Sequence, residues 1–300
     1  MKGVKKPLLS GAASEVITPF SEKGEVDYGL LENEVQFMLQ KGVTGFFVNG
    51  LASEALVITS AERYEIAKVV REVTEAKAPV LGNIIENSTL DGIKAAKIYE
   101  QLGLDAITIT PPSIYKYTND GLYAHFIQIA ETVKIPTYLY NAPETNTKLP
   151  PSLIVKLLEG NDSIIGLKDS SQNFIELLTL LDEIKPERHF ELLSGSDGLT
   201  VPIMMLGGCG VISLVTTVFP ELIIKMCDAA SIGEWETAIE LQKVVLRVRK
   251  ALKIGPFMAA YKFVGSLIGN PMGTVKKPLT DLNDSEKESI LKLLKNESLL

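Results

Sequence analysis

Eight times in succession this chain follows a short, β-rich apolar run with a longer amphipathic segment. No other feature restricts the fold as much. The expected strands fall at 15–18, 45–48, 80–83, 106–110, 137–141, 164–168, 191–194 and 211–214. Between them apolar residues recur at helical spacing, as in Leu30, Val35, Phe37 and Met38, or Ile66, Ala67, Val69 and Val70. Thr59 followed three residues later by Glu62 predicts a capping box at the start of the second helix. Repeated strand–helix order implies parallel strands joined by right-handed crossovers. Eight such units closing on themselves make an α/β TIM barrel, (β/α)8; a doubly wound open sheet is the competing arrangement.

After residue 222 the strand signal stops. Segments at 235–252, 256–268 and 284–294 read as helices, separated by Gly255 and a turn at 269–271, with Asp281, Asn283 and Asp284 as capping candidates. The chain therefore reads as a barrel over 1–222 and a C-terminal three-helix extension over 223–300, packed on the barrel. Its 300 residues suit this division, since barrels run to ~250 residues as one unit.

Composition excludes several function classes. The net charge is −7, and the 30 basic residues form no stripe, so no nucleic-acid partner is expected. Two cysteines, Cys209 and Cys227, suit a reducing compartment rather than a disulfide scaffold. Two distant histidines, His125 and His189, are too few for most His-ligated metal chemistry, so no metal is expected. Residues 198–220 carry no charge and are long enough to span a bilayer. Pro202, Gly207, Gly208 and Gly210 interrupt them, however, and a short helix, a glycine turn and a buried strand fit better. No membrane segment is expected. Leu8 and Leu9 are followed at once by small and polar residues rather than a signal-length apolar region, so the expected location is cytoplasmic.

Active sites of such barrels lie at the C-terminal ends of the strands. There the segment Ser163-Ile-Ile-Gly-Leu-Lys-Asp169 stands out, because lysine seldom closes a buried strand. Period two puts Gly166 and Lys168 on the inner face and Ile165 and Leu167 on the outer. At the ordinary lysine pKa of ~10.4 the amine is almost wholly protonated at pH 7, and desolvation in a barrel mouth would lower it. A neutral amine could form a Schiff base with a ketone; the alternative is a lysine paired structurally with a carboxylate. On the neighbouring strand Tyr138 and Tyr140 share a face, and the Tyr140 phenol, near the strand end, could relay protons.

With these residues the chain resembles the class I aldolases and lyases grouped with dihydrodipicolinate synthase and N-acetylneuraminate lyase. The resemblance runs through Val16-Ile-Thr-Pro-Phe20, the loop 50–54, Tyr140-Asn-Ala-Pro143, Gly166-Leu-Lys-Asp-Ser170, Leu193-Ser-Gly-Ser-Asp197, Gly207-Gly-Cys-Gly-Val-Ile-Ser213 and Val275-Lys-Lys-Pro-Leu279. It implies a TIM barrel with a helical tail, a homotetramer built from dimers, and pyruvate plus an aldehyde as substrates. Lys168 matches the Schiff-base lysine and Tyr140 the proton-shuttling tyrosine. No cofactor is implied beyond the covalent Schiff base at Lys168. Ile212 matches a position whose backbone carbonyl faces the lysine, and Asp197 and Ser213 match positions that contact sugar hydroxyls in the neuraminate branch.

Three departures bear on the substrate. The family's loop commonly reads Gly-Thr-Thr-Gly-Glu; here it is Gly50-Leu-Ala-Ser-Glu54, so both threonine hydroxyls are gone. Backbone N–H groups of Ala52 and Ser53 remain to bind a carboxylate, and Ser53 offers a hydroxyl nearby. Ser113 and Ile114 stand where synthases carry a tyrosine pair. Glu144, Thr145, Asn146 and Thr147 fill the loop in which synthases place an arginine for the aldehyde's carboxylate, and none of them imitates its bidentate clamp. Thr145, Asn146, Asp197 and Ser213 suit hydroxyls, so the expected reaction is cleavage of a 2-keto-3-deoxy sugar acid of the gluconate type. Alternatives are a dihydrodipicolinate synthase with unusual loops, a neuraminate-type lyase, a 2-keto-3-deoxy acid dehydratase, and a non-catalytic 2-oxo acid binding paralogue. Gly207, Gly208 and Gly210 lack a nearby cation and read as close packing rather than a phosphate cradle.

Overall fold

The computed structural model describes residues 6–300. Eight strands, β1 Gly11–Glu15, β2 Gly45–Val48, β3 Val80–Ile84, β4 Ala106–Ile109, β5 Thr137–Asn141, β6 Ile164–Asp169, β7 Glu191–Ser194 and β8 Gly210–Ser213, close into one parallel barrel in sequence order. Helices α1 Tyr28–Gln40, α2 Ser60–Thr74, α3 Thr89–Gln101, α4 Asn119–Ala130, α5 Pro151–Gly160, α6 Phe174–Glu183, α7 Thr200–Met205 and α8 Pro220–Ser231 alternate with them. Three more follow: α9 Trp235–Leu252, α10 Ala259–Leu267 and α11 Asp284–Asn296. The barrel is closed rather than open, because β1 also pairs with β8, Ala12 beside Val211 and Ser14 beside Ser213.

The expected boundary at 222 falls inside α8, which packs on β1 and completes the eighth strand–helix unit. Residues 198–220 form a short helix, a glycine turn and the buried β8, as their punctuation implied. Two glycines there serve packing: a Cβ on Gly208 would lie 2.8 Å from the Ile203 carbonyl oxygen, and one on Gly210 2.1 Å from that of Gly11.

Three apolar clusters hold the molecule. One lies between sheet and helices, with Leu31, Val80, Ile107, Phe126 and Leu167. A second joins β1 and β8 to α8 and the C-terminal helices, through Val211, Ile223, Val245 and Ile290. The third fills the barrel itself, with Ala13, Phe47, Leu81, Tyr138 and Leu193. Each fully buried aliphatic or aromatic side chain contributes ~1.5–3 kcal/mol relative to exposure. One expectation about the strands changes. The register shifts between Thr137 and Tyr138 opposite β6, so Ile165 packs toward the interior cluster instead of the helices. Gly166 makes room for the Tyr138 ring, since a Cβ there would meet that ring at 2.7 Å.

Candidate active site

The strand ends converge as barrel geometry requires. Glu15 ends β1, Tyr140 and Lys168 lie in register on β5 and β6, and Ile212 comes from β8. Phe47 rises from β2 beneath them, its ring 5.9 Å from that of Tyr140 and edge-on to it. The Lys168 side chain is 1% exposed, and its ammonium lies 3.8 Å from the Phe47 ring centroid and 4.1 Å from that of Tyr140. Cations over aromatic faces at these distances are attracted by the ring quadrupole.

The lysine is not the lone desolvated amine that its strand suggests. Its Nζ donates a hydrogen bond to Glu15 Oε2 at 2.9 Å, and both side chains are buried. Burial is the strongest single influence and pulls the Lys168 pKa down. Glu15 and Tyr140 together outweigh it, so the pKa sits above the ordinary lysine value. At rest, then, Lys168 is an ion-paired ammonium. Burial also pushes the Tyr140 phenol up, the Lys168 charge opposing it.

Glu15 is the residue that sequence reasoning missed. The expected first strand began at residue 15, whereas β1 ends there, because Gly11-Ala-Ala-Ser lacks the β-branched residues that mark a strand. Its other oxygen, Oε1, accepts the N–H of Ala52 at 3.1 Å. Gly50 allows this approach, since a Cβ there would lie 2.0 Å from the same oxygen.

A cavity of about 700 Å³ opens above these groups. Glu15, Ala52, Tyr140 and Ile212 form its floor, while Lys168 lies out of contact with it. Ser113, Thr145 and Asp197 are on its walls. The Thr145 hydroxyl ties its own loop, donating to the Ala142 carbonyl at 2.8 Å, and the Ser113 N–H donates to Asn87 Oδ1 at 2.7 Å. Ser53 does not reach the cavity: its hydroxyl donates to the Gly50 carbonyl at 2.7 Å, and its N–H points to the same oxygen. Ser213 does not line the cavity either. It donates to Asp197 Oδ1 and accepts the Thr216 N–H at 3.0 Å. The C-terminal helices supply cations that the sequence reading overlooked: Arg249, 3.9 Å from Asp197, and Lys253, one turn further along, both line the cavity. Nothing local in the sequence marks them, because α9 has to fold back over the barrel mouth to bring them there.

A buried lysine and tyrosine on adjacent strand ends of a closed barrel, beneath a cavity of small-molecule size, fit a carbon–carbon lyase of the class I aldolase type. Comparison with known sequences agrees. A sequence model of the dihydrodipicolinate synthetase family matches residues 8–297, and the chain belongs to that family, whose members are pyruvate-dependent carbon–carbon lyases. It is 34% identical over 295 residues to a 4-hydroxy-tetrahydrodipicolinate synthase of Methanopyrus kandleri, covering 97% of each chain. The corresponding enzyme of Methanocaldococcus jannaschii is 30% identical, with 98% of this chain and all of the relative covered. Among solved structures, dihydrodipicolinate synthase from Aquifex aeolicus superposes with a TM-score of 0.91 at 27% identity, covering 97% of this chain and 99% of that one. A prophage protein of the same family from E. coli, solved in complex with pyruvate, superposes with a TM-score of 0.93 at 26% identity, covering 98% and 100%.

Proposed function

We propose that the chain joins or cleaves a carbon–carbon bond between pyruvate and an aldehyde through a Schiff base at Lys168. The observation that carries this is the placement of Lys168 and Tyr140 side by side at the inner ends of β5 and β6. In the reaction the Lys168 ammonium first releases a proton to solvent in the cavity; the neutral amine then adds to the ketone carbon and one amine proton passes to the carbonyl oxygen. A second proton, delivered through Tyr140, lets that oxygen leave as water. The resulting protonated imine withdraws electrons, so the bond from the adjacent carbon to the one beyond it, C3–C4, can break to an enamine or form from one. No metal or external cofactor takes part in this scheme.

For the aldehyde, the curated relatives' name favours the synthase reaction over cleavage of a 2-keto-3-deoxy sugar acid. One structural observation points the same way. The cavity lining includes Glu15, Glu144 and Asp197, and Arg249 faces Asp197, but Lys253 stands in no ion pair among the described residues. Such a cation suits an aldehyde bearing a carboxylate such as aspartate semialdehyde. The sugar-acid reading keeps the support of the neutral wall residues Ser113 and Thr145. Turnover of pyruvate with aspartate semialdehyde, glyceraldehyde and N-acetylmannosamine decides between them. Efficient use of the semialdehyde is the expected result, and turnover of glyceraldehyde alone would reverse the choice. The proposed assembly is a homotetramer, supported by exposed apolar residues Leu56, Ile114 and Tyr115 near the barrel mouth.

A further inference from the structure

The sequence leaves the N–H groups of Ala52 and Ser53 to bind the carboxylate of a 2-oxo acid, yet neither is free. The Ser53 N–H points to the Gly50 carbonyl, and the Ala52 N–H is held by Glu15. Through its two oxygens Glu15 touches the two groups that a bound pyruvate would need, the Ala52 N–H at 3.1 Å and the Lys168 ammonium at 2.9 Å. It also stands on the cavity floor where Lys168 does not. Gly50, with no side chain, leaves room for the carboxylate to sit there. Space and charge act in the same direction: a second carboxylate entering this pocket meets an occupied donor and a like charge.

We infer that Glu15 is an internal carboxylate seated where the donor's own carboxylate binds, and that a 2-oxo acid must displace it to reach Lys168. Glu15 thereby sets donor specificity. It penalises carbonyl compounds that carry a neighbouring carboxylate, and it keeps the amine paired until a donor enters. A ketone without a carboxylate has no quarrel with Glu15 over the Ala52 N–H. This inference rests on the reading of pyruvate as donor at Lys168.

The test is borohydride trapping at Lys168 at one fixed pH, with pyruvate and with hydroxyacetone, a small ketone lacking the carboxylate. It compares wild type, Glu15→Ala and the near-isosteric Glu15→Gln, which keeps the packing should the alanine variant not fold. Freeing the amine raises trapping of both ketones. The specific expectation is that the pyruvate-to-hydroxyacetone ratio rises about tenfold or more in Glu15→Ala, and by a smaller factor in Glu15→Gln. An unchanged ratio, or equal gains with both ketones, overturns the inference and leaves Glu15 a simple obstruction. Trapping of hydroxyacetone but never of pyruvate, in any of the three proteins, removes the pyruvate reading and this inference with it. Trapping of neither removes the Schiff base itself.

Discussion

At the scale of single residues, the site divides into groups that the sequence announces and groups that only folding reveals. Lys168 and Tyr140 end regular apolar strands, so period two and the barrel rule suffice to find them. Glu15 ends a strand of small residues that reads as coil, and its partner Lys168 is 153 residues away. Ser53 and Ser213 carry hydroxyls at plausible positions, but the fold uses them locally, on Gly50 and Asp197. Replacing Lys168 with Ala is expected to abolish carbon–carbon bond turnover, measured as loss of pyruvate consumption in a folded variant. Tyr140→Phe keeps the ring against Phe47 and removes only the hydroxyl. It is expected to lower kcat by roughly 10²–10⁴, the usual contribution of a positioned proton carrier, with a smaller change in pyruvate KM.

At the scale of elements, local chemistry was the most legible layer. The capping box at Thr59 is present, with the Thr59 side chain accepting the Glu62 N–H and the Thr59 N–H donating to Glu62 Oε2 at 2.7 Å. A second box, Asn283 with Glu286, opens α11 where polar capping residues cluster. Thr59→Ala is expected to cost about 0.5–2 kcal/mol, read as a lowered denaturant midpoint at unchanged m-value. Barrel closure was less legible, since no residue of β1 states that it will pair with β8. Gly210 shows the physical condition. At φ +154° and with the Gly11 backbone in the space of any side chain, it lets the last strand approach the first. Gly210→Ala is expected to prevent a stable closed barrel, measured as loss of cooperative thermal unfolding.

At the scale of the whole molecule, the C-terminal helices are part of the site and of the stability. Lys262 of α10 donates to the carbonyls of Thr18 and Thr274 and pairs with Glu54 at 2.7 Å, close to Glu34 of α1. Glu34 is fully buried, with one oxygen accepting the Ile17 N–H at 2.9 Å. Burial pushes its pKa up to about 8, against the opposing effects of the Ile17 N–H and Lys262. A raised carboxyl pKa means that the folded state holds a proton that the unfolded chain releases near pH 4.5. Stability from this group is therefore full below about pH 4.5 and is lost as pH rises to about 8. Glu34→Gln, which stays neutral, is expected to flatten the fall of Tm across that window. A Tm profile identical to wild type from pH 5 to 9 would count against the assignment. How this cluster and the Arg249–Lys253 edge arise was not readable from sequence, because each joins segments distant in the chain whose proximity only the completed barrel creates.

Covalent attachment of the donor ketone to Lys168 is the step on which the proposed reaction rests. Its most direct test is incubation of the intact protein with pyruvate, borohydride reduction and mass mapping of the peptides. A reduced pyruvate adduct is expected on the peptide containing Lys168, and none in Lys168→Ala. A folded wild-type protein that yields no adduct, or carries it only on another lysine, would rule out Lys168 as the attachment point.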